Sequence, residues 1–239
     1  MSRVGKALIR TTRPTGAAGV VYPSFMLVDT IAQNSSGAST HSTWNFVRTI
    51  PEGTGYLLIP IAVTFNNSST GISISSVTIG ASGCTTLVQF VENDEDFIAT
   101  MIVGLVSPPT GEQTITITYA ENNARRSVAG VYTVADYASI GAGVLSVPTT
   151  PSATVSAAIT PTASPSKIFG IAAQKSDEGD PVTPLSGVTV LDESQMVGSL
   201  GMTVLIGEMT APDDTELTFG GTFSSATRES SVALIEVAS

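Results

Sequence analysis

Cysteine and histidine each occur once in the 239 residues, as Cys84 and His41. One cysteine cannot close a disulfide within the chain, and one histidine cannot supply a histidine-rich metal site. A chain of this length needs neither, because it can bury roughly 70–75% of the surface that its unfolded form exposes. Since no Gly-x-Ser-x-Gly motif accompanies His41, we expect it to be a surface or packing residue, and Cys84 to act as a small apolar one.

Charge is scarce as well, at 13% of residues, and the 10 basic residues are outnumbered by 20 acidic ones, which gives a net charge of −10. This balance argues against a nucleic-acid partner, and the 42% of hydrophobic residues excludes a disordered polymer. The longest apolar run, 56–63, is interrupted by Pro60 and is shorter than the about 20 residues that a membrane helix needs. The N-terminal segment lacks the apolar stretch of a signal peptide. We therefore expect no membrane partner, no cofactor, and synthesis in the cytoplasm without an export signal.

Helical periodicity is also missing, because no window of about 12 residues free of glycine and proline has an apolar stripe at helical spacing. The apolar residues instead alternate: in 113–119, Ile115, Ile117 and Tyr119 are separated by threonines, which is typical of a half-buried antiparallel strand. Similar patterns predict further strands at 25–32, 43–50, 56–65, 72–79, 85–91, 97–106, 126–137, 153–159, 167–174, 187–191, 200–209, 215–223 and 230–237. Turn-forming residues separate them, for example at 108–111 and 141–143.

Short strands with frequent turns predict an all-β protein, an antiparallel two-sheet β-sandwich of jelly-roll-like form with essentially no long helix. Parallel α/β folds are excluded, because they need helical crossovers. The strand predicted at 97–106 is apolar on both faces. We expect it at the centre of a sheet, covered on one face by the opposite sheet and on the other by a loop or a neighbouring subunit. No internal sequence repeat is evident.

The basic residues are distributed unevenly along the chain. Four of the ten, Arg3, Lys6, Arg10 and Arg13, precede the first acidic residue, Asp29. The segment before Asp29 thus carries +4, and the remainder carries −10 − 4 = −14. These four residues form either a frayed terminus with arbitrary charges or an assembly arm that docks on an acidic surface, including another copy of the body.

The predicted domain organisation follows from this charge distribution. We assign residues 1–22 to the basic N-terminal arm and residues 23–239 to the β-sandwich domain. A sub-boundary is considered in the Pro/Ser/Thr-rich stretch 148–166, which holds four of the 13 prolines and no charge. That stretch is either a semi-rigid linker or a pair of turns flanking an edge strand at 153–159.

Three acidic stretches, at 92–96, 177–180 and 213–214, offer oxygen atoms to a calcium ion but lack EF-hand spacing, so solvated turns are the favoured interpretation. We assign no catalytic and no metal-binding residue. Three aromatic side chains, Trp44, Tyr56 and Tyr137, could form a platform on which a sugar stacks. Packing of these rings in the core is the alternative use, and it is the favoured one.

Five stretches carry a resemblance to a known module: IPEGTGYLLI at 50–59, SVTIG at 76–80, TTLV at 85–88, GLVSPPTGEQTITI at 104–117 and SVAGVYTV at 127–134. Together they resemble a β-sandwich module that recurs in bacteriophage virion proteins and in bacterial surface proteins. The module ordinarily has two glycines where this chain has only Gly80. The resemblance implies a sandwich fold in a virion or surface setting and transfers no catalytic residues.

These observations predict a structural protein of a bacteriophage virion, a head-decorating, neck or tail component that is not an enzyme. Its expected partners are copies of itself, in a trimer or ring, and other virion proteins. Two alternatives remain open. The chain could be a carbohydrate-binding or adhesin module that recognises a host glycan, or a β-sandwich glycan hydrolase.

Overall fold

The computed structural model describes residues 20–34, 41–65, 73–89, 98–120, 124–148, 152–176, 181–198, 201–224 and 229–239. Every regular element in these ranges is a β-strand, and antiparallel pairing joins the strands into four sheets. The prediction of an all-β, antiparallel sandwich is therefore confirmed. Over the same ranges, no helix is long and apolar enough to span a bilayer.

The first half of the chain folds into one sandwich. Its strands are β1 (Ser24–Asn34), β2 (Thr43–Ile50), β3 (Tyr56–Phe65), β4 (Ile74–Ile79), β5 (Ser82–Gly83), β6 (Thr85–Gln89), β7 (Ile98–Val106), β8 (Gly111–Tyr119) and β9 (Ala124–Ala135). One sheet has the order β1-β9-β3-β7-β6, and the other has the order β2-β8-β4-β5. The chain mostly alternates between the two sheets, as it does in a jelly roll.

The second half repeats this arrangement. Its strands are β10 (Ser139–Ser146), β11 (Thr154–Ile159), β12 (Ser166–Lys175), β13 (Thr183–Pro184), β14 (Thr189–Met196), β15 (Met202–Ala211), β16 (Leu217–Thr222) and β17 (Ser230–Ala238). The sheet orders are β10-β17-β12-β15-β14 and β11-β16-β13. Each of these strands has a counterpart in the first half: β10 corresponds to β1, β12 to β3 and β17 to β9.

The central strand has corresponding partners in the two halves. In the first half, Ile61 of β3 is paired with Ala129 on one side and with Met101 on the other. In the second half, Ala172 of β12 is likewise paired with Val232 of β17 on one side and with Leu205 of β15 on the other. The same strand order with the same antiparallel pairing partners shows that the chain consists of two copies of one fold.

The two sandwiches stack through their five-stranded sheets. Strand β3 lies against β12, β1 against β14, and β6 against β10. Strand β1 corresponds to β10, and β6 corresponds to β14. The contact of β1 with β14 is therefore the counterpart of the contact of β10 with β6, as expected for two similar units related by a two-fold axis. The molecule is thus a stack of four sheets in which the two five-stranded sheets form the middle layers.

Three apolar cores separate the four layers. Ile61 and its neighbours fill the core of the first sandwich, and Phe219 lies in the core of the second. The central core lies between the middle layers, where Leu58 faces Phe169 and other side chains of the second half. All ten residues of β3 are buried, because successive side chains enter the first and the central core in turn.

Strand β7 lies in the interior of its sheet, where the sequence places the strand at 97–106. Its second face is covered by the other sandwich of the same chain, where the expectation was a loop or a neighbouring subunit. Ile102 packs in the central core, and the hydroxyls of Thr100 and Ser231 form a hydrogen bond of 2.6 Å between the halves. The apolar character of both faces is therefore satisfied within one chain.

Strand β10 contradicts the turn predicted at 141–143. Pairing with β17 continues through this segment, with an irregular register between Ile140 and Gly143. A Cβ atom on Gly143 would lie 2.8 Å from the carbonyl oxygen of Leu87, and one on Gly141 would lie 3.1 Å from the Cβ of Glu236. The two glycines therefore permit close approach of neighbouring strands rather than a reversal of the chain.

The Pro/Ser/Thr-rich stretch 148–166 contains β11, which is an edge strand of the three-stranded sheet. The chain passes from the first sandwich to the second earlier, at 136–138, between the end of β9 and the start of β10. Asp136 occupies this connection with a φ of +56°, in the left-handed region. A connection of three residues leaves the sandwiches little freedom to separate.

Candidate assembly surface

One end of the molecule collects the connection between the sandwiches and several loops of both. The amide of Ser107 donates to the carbonyl of Gly55 at 2.8 Å, and the hydroxyl of Ser164 donates to the carbonyl of Pro212 at 2.6 Å. We call this region the junction end, and it comprises the loops 51–55, 107–110, 136–138, 160–165 and 212–216 together with Ser239.

An open groove of about 490 Å³ lies at the junction end. We call it the junction groove, and its lining consists of Val20, Val21, Asp136, Tyr137, Pro165 and Ser239. The two valines precede β1 and are exposed apolar residues, with 67% of Val20 and 36% of Val21 accessible to solvent. The groove therefore combines an apolar surface with the carboxylate of Asp136, at the point where residues 1–19 join the body.

One wall of the groove is fixed by an aromatic pair. The rings of Tyr137 and Tyr56 lie 5.1 Å apart, and the hydroxyl of Tyr137 donates to the carbonyl of Gly55 at 3.4 Å. Tyr56 is buried, and this burial, with a smaller contribution from Tyr137, raises its pKa. A Cβ atom on Gly104 would overlap the hydroxyl of Tyr56, so a glycine is required at this position for the ring to pack.

The loop that contributes Pro165 to the groove is fixed by a buried carboxylate. Glu236 accepts hydrogen bonds from the amide of Thr162 at 3.0 Å, its hydroxyl at 2.7 Å and the amide of Ala163 at 2.9 Å. Burial raises the pKa of Glu236, but these hydrogen bonds outweigh burial and lower the pKa overall, so the group is ionised at neutral pH. The loop thus held carries Pro165, whose carbonyl accepts from the amide of Ser239 at 3.2 Å.

The junction end is acidic. Its loops contain five exposed carboxylates and no lysine or arginine, namely Glu52, Asp136, Asp213, Asp214 and Glu216. Arg48 and Lys167, on strands that enter this end, are already paired. Arg48 contacts Asp29 at 2.8 Å, and Lys167 contacts Glu208 at 2.5 Å. The junction end therefore presents negative charge beside an apolar groove.

The structure separates the three aromatic residues that the sequence groups as a glycan platform. Trp44 is 5% exposed and packs in the first core, 4.9 Å from the ring of Phe46. Tyr56 and Tyr137 are brought together at the junction end, but only Tyr137 is partly exposed. The rings of Trp44 and Tyr56 are thus used for packing, and they present no open face to a sugar.

The remaining sequence candidates divide between described and undescribed residues. The assembly arm residues Arg3, Lys6, Arg10 and Arg13 and the acidic stretches 92–96 and 177–180 lie outside the described residues. The third acidic stretch, 213–214, forms part of an exposed loop at the junction end. Within the described part of the chain, no three His, Cys, Asp or Glu side chains come close enough together to hold a metal ion.

The single histidine and the single cysteine lie apart from the groove lining. His41 forms an isolated bridge, in which its amide donates to the carbonyl of Ala124 at 2.9 Å. Cys84 is half-buried against the first core, and this burial raises the pKa of its thiol to about 12. The thiol is therefore protonated at neutral pH and acts as a small apolar group.

Sequence reasoning missed most of the groove lining, including Val20, Val21, Pro165 and Ser239. The adjacent valines, in a segment without a strand pattern and shortly before Pro23, were the only local signal. Pro165 and Ser239 give no signal, because they reach the groove only through the pairing of β12 with β17.

No protein-family model matches this chain, and no curated protein is similar to it. Among solved structures, it is similar to the crystal structure of the major capsid protein P2 from bacteriophage PM2. The TM-score is 0.26 and the sequence identity is 11%, over 91% of this chain and 98% of that chain. A similarity at this level bears on neither fold nor function, and the double sandwich is established by the strand order and pairing of the chain itself.

Proposed function

We propose that the chain is a structural protein of a bacteriophage virion, a head-decorating, neck or tail component that acts through protein–protein assembly and has no catalytic activity. The observation that carries this proposal is the junction end. There an apolar groove opens beside exposed carboxylates, at the place where a segment with a charge of +4 joins a body with a charge of −14. Opposite charges and exposed apolar surface in one location are suited to binding another protein.

The double sandwich supports the same function. Jelly-roll sandwiches are used for viral capsid and lectin domains. The stretches between residues 50 and 134 that resemble the virion module lie in the first sandwich. Three buried cores within a single chain make a rigid body, and a rigid body loses little conformational freedom when it is incorporated into a particle.

Assembly must draw on many contacts. A single exposed ion pair contributes only about 0–1 kcal/mol, so four arginine and lysine side chains on one arm give little affinity alone. A symmetric oligomer repeats each contact in every copy, and apolar burial in the groove adds to it. We therefore propose a homo-oligomer, either a trimer or a ring, that also contacts other virion proteins.

Mass spectrometry of gradient-purified phage particles that encode this chain tests the function directly. We expect the chain to be present in a fixed ratio to the main shell protein and to remain with particles through density banding. Absence of the chain from purified particles, while it accumulates in the infected cell, would reject a virion role.

The two alternatives need their own measurements on the isolated chain. A glycan array tests the adhesin hypothesis, and specific glycan binding that survives replacement of Tyr137 by alanine would still favour that class, with a different site. Release of sugar from a polysaccharide panel by the purified chain would contradict the proposed lack of catalytic activity.

A further inference from the structure

We propose that the junction groove of one copy binds residues 1–19 of a second copy, so that neighbouring copies exchange their N-terminal segments. This inference rests on the proposed function, because it names the partner and the surface used in assembly. It commits to a single occupant, which is a segment of this same sequence.

The sequence of the segment matches the chemistry of the groove. Val4, Leu8 and Ile9 alternate with the basic residues at positions 3, 6, 10 and 13. The groove offers the apolar surface of Val20 and Val21 to the first group. The carboxylate of Asp136 in the groove, together with the other exposed carboxylates of the junction end, offers negative charge to the second. Because both kinds of contact form together, the segment is better matched to this groove than a purely basic or purely apolar peptide would be.

The length of the segment permits binding to a second copy. Val20 itself lines the groove, and Arg13 precedes it by 20 − 13 = 7 residues. Seven extended residues reach about 23 Å, whereas a volume of 490 Å³ corresponds to a width of about 8 Å. The segment is therefore long enough for its basic residues to reach the groove of a neighbouring copy.

Charge also favours exchange between copies. Two bodies of −14 repel each other when their acidic ends approach. An inserted segment of +4 places cations between them and lowers this repulsion at the contact. If each copy gives its segment to the next copy and receives in its groove the segment of the previous one, the head-to-tail contacts close in a trimer or ring.

Cross-linking between full-length chains tests the exchange. In a Cys84→Ser background, one chain carries Thr12→Cys and a second, distinguishable by a mass tag, carries Ser239→Cys at the groove. A short bismaleimide is added to the mixture, and mixed dimers are quantified by denaturing electrophoresis. We expect mixed dimers at low salt and several-fold fewer at high salt, because salt screens the charges of the segment and of the junction end.

Val197→Cys provides the matched control, because Val197 is 62% exposed and lies beside Arg126, at the opposite end from the groove. We expect Thr12→Cys to cross-link to Val197→Cys several-fold less than to Ser239→Cys. Equal cross-linking at the two sites would overturn the inference, as this would reflect random encounter.

A single chain carrying both Thr12→Cys and Ser239→Cys separates exchange from folding back. Cross-linked monomers without mixed dimers would show that the segment binds its own groove, and they would overturn the inference. A chain found in particles that gives no mixed dimers would refute the exchange and leave the virion role intact. Absence from particles would instead reject the role itself.

Discussion

Replacing Phe219 by alanine tests whether the two sandwiches unfold as one unit. Phe219 is fully buried in the core of the second sandwich. Removal of its ring loses the free energy gained by transferring the ring from water to the core, and it leaves a cavity. Together these effects lower the free energy of unfolding by about 3–5 kcal/mol. For a protein of this size, each kcal/mol lowers Tm by about 2–4 °C, so Tm should fall by roughly 6–20 °C.

The single tryptophan makes the measurement specific. Trp44 lies in the core of the first sandwich, so its fluorescence reports the unfolding of that half, whereas circular dichroism reports both halves. Because the central core joins the middle layers, we expect both signals to shift together, although Phe219 lies in the other half. The exposed Val47→Ala variant is the control, with an expected change within about 0.5 kcal/mol.

A Trp44 transition that stays at the temperature of the unmodified protein, while the circular dichroism signal splits in two, would refute this reasoning. It would show that the central core contributes too little free energy to couple the two halves. Coincident transitions with a decrease far below the expected range would instead show that the cavity left by Phe219 collapses.

Three further predictions concern the junction end and the cysteine. Gly104→Ala should lower the free energy of unfolding by about 1–3 kcal/mol in denaturant unfolding, because the added methyl group overlaps Tyr56. Gly83→Ala is the control and should have little effect, since a Cβ atom there meets nothing within 4 Å. Equal losses for the two variants would contradict the packing argument. Because folding lowers the pKa of Glu236 from its ordinary value of 4.5, its ionised form stabilises the fold above that pH, and this stabilisation is lost as the pH falls through the folded-state pKa. In Glu236→Gln, the free energy of unfolding should therefore depend less on pH in the acid range. Cys84 should react slowly with a maleimide at pH 8 and quickly after unfolding, and fast native labelling would refute the raised pKa of about 12.

Local patterns in the sequence were sufficient for the strand class and several turns. The alternation of Ile115 and Ile117 with threonines corresponds to a strand with one buried face. The turn at 107–110 also has its expected form, since prolines follow the end of β7 and Gly111 has a φ of +78°. These features depend on a few adjacent residues, so the sequence records them directly.

The duplication could not be recognised in the same way. In the equivalent segments 57–62 and 168–173, only Ala62 and Ala173 are identical, because a strand buried on both faces accepts many apolar residues of suitable volume. The apolar pattern of β7 shows that both of its faces are covered, but it does not show by what. The covering layer is defined only by long-range stacking of the middle sheets.

The junction groove was missed for a related reason. Its lining combines Val20, Asp136 and Ser239, which lie far apart in the sequence. They meet because the chain enters, changes sandwich and leaves at one end of the stack. The sequence shows only the positive charge of the segment before Asp29. That charge indicates a docking function, but it does not show which surface the segment binds.

The two-fold arrangement of the two middle sheets has a consequence for stoichiometry. A lone sandwich of this fold could form the same four-layer stack by dimerising with itself, and that pairing would weaken on dilution. The covalent connection at 136–138 removes this dependence and fixes the ratio of the halves at one to one. Each half is then free to diverge, so that one surface can serve one neighbour and the equivalent surface another.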